Sequence, residues 1–184
     1  MRTISLAQRL KIRTRWMGEC PCSTLDGNWK AHLRNSLNHL ATALDHIYLE
    51  TVYPLVPKPR SLRQRYIHAI LGEINTPDLI IEMAGKILKK DQILRIQLLL
   101  ESQRERQRMF TSCGWFFDDF DRIEPKNNLA YAAQATRLVR LATGDDLVPL
   151  AIENLRNVVS PRTSQRADTV FSQYLDRTWT WNPT

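Results

Sequence analysis

At 184 residues, with 43% hydrophobic and 24% charged residues, the chain is long enough to bury a core without disulfide or metal staples and too apolar to be disordered. No apolar stretch approaches the roughly 18 residues needed to span a bilayer, so the reading is of a soluble protein without a transmembrane segment. The net charge of +7 is uneven: residues 1–110 carry 18 Lys and Arg against 10 Asp and Glu, whereas residues 111–184 carry 8 against 9.

A basic front half fits an anionic partner, nucleic acid above all; a solvated surface of high pI is the plainer reading. Three cysteines, two of them close together as Cys20-Pro21-Cys22, leave an odd thiol and no even disulfide framework, which points to a reducing cytoplasm. The first fifteen residues hold Arg2, Arg9, Lys11, Arg13 and Arg15 with no acid, a pattern shared with transit peptides. We read residues 1–14 as an uncleaved basic arm, residues 15–177 as one helical domain and residues 178–184 as a Trp-containing tail.

From Asn28 to about Val52, Trp29, Leu33, Leu37, Leu40, Leu44, Ile47 and Tyr48 recur at three- and four-residue steps, which predicts a long helix with one apolar stripe. Asp26 and Asn28 offer N-cap chemistry, and Pro54, Pro57 and Pro59 stop the helix. Ser61 is placed to cap a second helix through Leu62, Tyr66, Ile70 and Leu71. Thr76-Pro77-Asp78 opens a short helix expected to reach about Lys90. Asp91 then opens a long central helix, apolar all round at first, that continues through the charged 101–108 segment to about Ser112, where Gly114 ends it.

The aromatic and acidic segment from Trp115 to Glu124 reads as a structured loop before Pro125. Asn127 or Asn128 is placed to cap an alanine-rich helix, with Gly144 as its C-cap. Two further helices are expected, at about 146–159 and 162–176. The sum is an all-α bundle of about six to seven helices with two long central ones, without strands or internal repeats.

Cys20 and Cys22 are too close together for the two-residue spacing that wraps one zinc, so they are weak metal candidates, even with Cys113 as a third ligand. His32, His39 and His46 repeat every seven residues along one line of the first helix, about 100° from its apolar stripe, and read as a wetted flank. Asp118, Asp119, Asp121 and Glu124 stand among Trp115, Phe116, Phe117 and Phe120. Rings beside carboxylates suit sugars, which makes Trp115, Asp118, Asp119 and Glu124 a candidate carbohydrate site; the plainer alternative is rings in the core and acids at the surface. No phosphate loop, Ser-His-Asp pattern or activated Lys is present, so neither a catalytic residue nor a cofactor is expected.

Arg15-Trp16 with Cys20 and Cys22, then Asn28-Trp29-Lys30 with Leu33-Arg34 and Leu37, then Met109 through Asp118, resemble one family. It is the helical domain of unknown function found at the C-terminus of glycoside hydrolase family 57-like proteins, relatives of α-amylases and α-mannosidases. The likeness covers about residues 15 to 142 and is most specific in the Met109–Asp118 run. In that family a catalytic barrel precedes the helical region and supplies the nucleophile and the acid, and this sequence holds no barrel. Where the family has a Trp-Ser-Cys-x-His-Gly stretch, Ala7 to Ile12 stand here. The resemblance therefore implies a stand-alone, non-catalytic interaction subunit that binds a larger protein assembly, with Arg9, Lys11, Arg13, Arg15, Trp179 and Trp181 as partner contacts. An accessory role in α-glucan binding is the alternative, and nucleic-acid binding by the basic front half is a second one.

Overall fold

The computed structural model describes residues 28–116 and 119–179. They form an all-α fold: seven helices of eight residues or more and one four-residue helical turn. The expected stripe builds α1, Trp29–Val52, in which Trp29, Leu33, Leu37, Leu40, Leu44, Tyr48 and Val52 are all buried. Asn28 takes the N-cap position by its backbone, its carbonyl accepting the His32 amide at 3.0 Å, while its side chain makes no capping bond. Beyond the prolines comes α2, Pro59–Ile70, and the buried Tyr48 hydroxyl donates to the Pro59 carbonyl at 2.7 Å, which fixes the corner between the two helices. Pro59 rather than a residue after Ser61 opens α2, because proline suits a first turn that needs no amide donor.

The next helix, α3, Thr76–Ala84, is shorter than expected. Gly85 adopts φ 63°, the left-handed C-cap conformation that glycine reaches without steric cost, and ends it well before Lys90. Long helix α4, Lys90–Arg108, begins one residue ahead of the expected Asp91, with the Gln92 side chain accepting the Lys89 amide at 2.9 Å. It stops at Arg108, short of Ser112.

Two helix boundaries differ from expectation in the following stretch. Gly114 does not end a helix but lies inside a short one, α5, Cys113–Phe116, and Pro125 lies inside the first turn of α6, Ile123–Thr143. Asn128 is consequently a helix-interior residue with no solvent exposure instead of a cap. Gly144 terminates α6 with φ 86°, as the sequence indicates. Helices α7, Val148–Leu155, and α8, Ala167–Trp179, follow. The segment joining them is pinned by Ser160 N–H to the Gln165 carbonyl and Ala167 N–H to the Val158 carbonyl, both 2.9 Å, which delays α8 past the expected Arg162.

Helix α6 packs chiefly against α4 and α8, and α1 lies against α4 and α7. Small side chains bring α4 and α6 together: Ala132, Ala133 and Ala135 are fully buried, and the Ser102 hydroxyl donates to the Ala135 carbonyl at 3.0 Å. On the other side of α4, Gln103 donates to the Leu44 carbonyl at 3.2 Å, and α1 is tied to α7 by Ser36 bonding the Asn154 carbonyl at 2.7 Å. The two long helices read from the sequence are thus joined by a third, α6. Among the described residues, no helix is long and apolar enough to cross a membrane.

At the start of α8, the Asp168 carboxylate is buried yet accepts the Thr169 amide at 2.9 Å and pairs with Arg166. Burial pushes its pKa up, but the Arg166 and Thr169 bonds outweigh this and hold it below the ordinary carboxylate value. A depressed native pKa stabilises the fold fully above the unfolded value, near about pH 4, and that share is lost as pH falls through the native value. Thermal unfolding followed from neutral pH downward should show a steeper acid loss in the wild type than in Asp168→Asn. Parallel pH profiles would mean that Asp168 is not tied to Arg166 in solution.

Candidate functional site

The last turn of α4, the segment after it, and α5 meet the N-terminal half of α1 in a cluster of arginines and rings. Arg34 of α1 lies with its guanidinium carbon 4.0 Å from the centroid of the Trp115 ring and 5.5 Å from that of Phe110. Arg106 lies 5.9 Å from the same Phe110 ring. The α4 register that buries Leu99 and Gln103 also carries Arg106 to Asp45, whose carboxylate bonds Arg106 at 2.7 Å and Arg63 at 3.2 Å. Arg63 is steadied further by the Gln103 side-chain oxygen at 2.8 Å.

Arg34 has a different setting. Burial lowers its pKa, and among the described residues no neighbouring carboxylate offsets that effect. Its Nε is buried without a hydrogen-bond partner, as are Arg106 Nε, Trp115 Nε1 and Asn128 Nδ2. Asn128 touches α5 directly: its Oδ1 accepts the Thr111 hydroxyl at 2.8 Å, and its amide group packs on Gly114, where a side chain would collide with it. The buried atoms without a hydrogen-bond partner include acceptors as well, Asp121 Oδ1 and Glu124 Oε2.

The expected carbohydrate residues do not share an open surface. Trp115 is 1% exposed, a core ring covered by Arg34, so a pyranose has no free face on which to stack. Asp119, 2% exposed, accepts the backbone amides of Asp121 at 3.0 Å and Arg162 at 3.2 Å, and Asp121 pairs with the Arg162 guanidinium. These acids hold the segment before α8 in place. Glu124 lies 4.0 Å from Arg122. Asp118 falls outside the described residues, as do Arg9, Lys11, Arg13, Arg15, Cys20, Cys22 and Trp181; Trp179 closes α8 by its backbone, and its side chain is likewise outside.

His32, His39 and His46 are exposed, as a wetted flank requires; His39 meets Asn154 at 2.8 Å and His46 meets Glu50 at 3.2 Å. Cys113 is an exposed free thiol. Among the described residues, no group of three His, Cys, Asp or Glu side chains is placed to hold a metal. Away from the arginine junction, an open groove of about 850 Å³ lies at the α1–α2 corner, with Tyr53, Pro57, Lys58 and Arg60 on its walls.

Residues 26–178 match the model of a family described as a domain of unknown function, DUF3536. The chain belongs to this family. No curated protein and no solved structure matches it. The DUF3536 match takes in α1 to α7 and all of α8 but its last residue. Its clustered donors include two residues that the sequence reading did not single out as functional, Arg34 and Asn128. Arg34 stands beside Leu33 on the edge of the α1 stripe, and a cation there was the available signal; Asn128 was hidden by being read as a cap.

Proposed function

We propose that this DUF3536 chain is a non-catalytic helical interaction subunit that binds a larger protein assembly, with the α4–α5–α6 junction as its contact face. The observation that carries the reading is the half-buried Arg34 guanidinium, stacked on Trp115 and without a carboxylate among the described residues. Interfaces concentrate their binding energy in such arginine and aromatic groups. Phe116, 71% exposed, and Ile123, 59% exposed, follow Trp115 in the chain and add apolar surface there. The resemblance to the helical region of family 57-like glycoside hydrolases supplies the partner class, a carbohydrate-processing barrel protein.

The closed Trp115 ring favours this reading over glycan binding at the junction. Tagged protein purified from its native cells should retain a barrel-containing carbohydrate-active protein in stoichiometric amount, and Phe116→Ser should weaken that retention without lowering the melting temperature. A monomeric chain with no stoichiometric partner would end the proposal.

A further inference from the structure

We infer that Arg34 is the receptor for a carboxylate side chain, an Asp or Glu presented by a protein partner. This rests on the interaction reading and gives the chemistry of its contact. Arg63, Arg106 and Arg108 each meet a carboxylate, at 3.2, 2.7 and 2.8 Å. Arg34 meets none among the described residues, although burial has already removed part of its hydration. A guanidinium desolvated without an anion is costly to hold, and that cost is recovered when an anion arrives.

The surrounding chemistry narrows the ligand. Arg34 is half-buried and its guanidinium offers donors only, so the group it receives must be an acceptor. Stacking on Trp115 at 4.0 Å fixes the guanidinium plane, which suits a planar, two-pronged carboxylate. Arg106, the second cation beside Phe110, already has the Asp45 carboxylate at 2.7 Å, which leaves Arg34 as the guanidinium beside that ring without an anion among the described residues. Exposed Phe116 next to Trp115 offers an apolar shoulder, which a side chain on a protein surface uses and a free small acid does not.

The test is a titration of the isolated chain, labelled at Arg and Trp side-chain nitrogens, with the Trp115 indole signal assigned by its loss in Trp115→Phe. The probes are a short peptide with one Glu between leucines, sodium acetate, inorganic phosphate, and sodium chloride at matched ionic strength. The peptide should shift and saturate the Arg34 Nε–H and Trp115 Nε1–H signals, with acetate reproducing the shift more weakly. Arg34→Gln should reduce peptide affinity about tenfold or more, the scale of a lost charge-assisted hydrogen bond. Signals that move only as they do in sodium chloride, acetate binding as tightly as the peptide, phosphate binding more tightly than either, or unchanged affinity in Arg34→Gln would each overturn the inference. If Arg34→Gln does not fold, the wild-type titration decides alone. A native complex retained equally by Arg34→Gln would sink this inference and leave the interaction reading intact, whereas absence of any complex would sink that reading without touching the titration.

Discussion

Gly114→Ala should destabilise the chain by about 1–3 kcal/mol, the usual penalty for overpacking a filled core. A Cβ at this position would lie 2.7 Å from Asn128 Cγ and 2.9 Å from Asn128 Oδ1. Asn128 has no exposed surface to turn into, and rotating it would break its 2.8 Å bond from the Thr111 hydroxyl. For a chain of this length such a loss lowers the melting temperature by several degrees. Asn128→Ala alone should also destabilise, by losing that bond and opening a gap. The pair Gly114→Ala with Asn128→Ala should cost less than the sum of the singles, because removing the amide relieves the collision. Thermal unfolding of the four proteins checks this; additive losses, or an unaltered Gly114→Ala, would show that α5 and α6 do not meet as described.

Trp115→Ala should have the largest effect of any single change at the junction, about 3–5 kcal/mol. The ring is 1% exposed and carries Arg34 on its face, so truncation opens a cavity and strips the guanidinium of its stacking surface. Against a total stability of about 5–15 kcal/mol for a domain, this loss leaves the variant marginal at physiological temperature. Trp115→Phe keeps most of the volume and should cost much less. Denaturant unfolding distinguishes the outcomes: a Trp115→Ala midpoint close to wild type would place the ring at the surface and restore sugar stacking as a use for it.

Which parts of this architecture could be read from the sequence follows from how local their causes are. The α1 stripe is legible because each buried residue lies three or four positions from the last, and Gly144 is legible because a glycine after a periodic run has one common use. Gly114 was misread as a helix end, and the helix around Pro125 was started too late, because both residues have a second physical use. Gly114 is small so that the Asn128 amide can pack on it, and Pro125 sits in a first turn where no amide is needed. Neither use is visible without the neighbour.

The site was less legible than the fold for the same reason. Four carboxylates within seven residues suggested a shared chemistry, but two of them act across the chain, Asp119 on the Arg162 amide and Asp121 on the Arg162 side chain. Arg34 carries no local mark beyond being a cation beside the α1 stripe; its setting is made by Phe110 and Trp115, which only the packing of α1 against the end of α4 brings near. Two of the segments that carry the resemblance, the Asn28–Leu37 run and the run from Met109 to Phe116, meet at the junction.

Hydrogen–deuterium exchange on the chain alone and in its purified native complex tests the central claim most directly. The interaction reading predicts new protection in the complex concentrated in residues 106–124 and in the α1 turn around Arg34. Protection confined to the Tyr53 groove or to α8, with the junction exchanging as it does in the free chain, would contradict it.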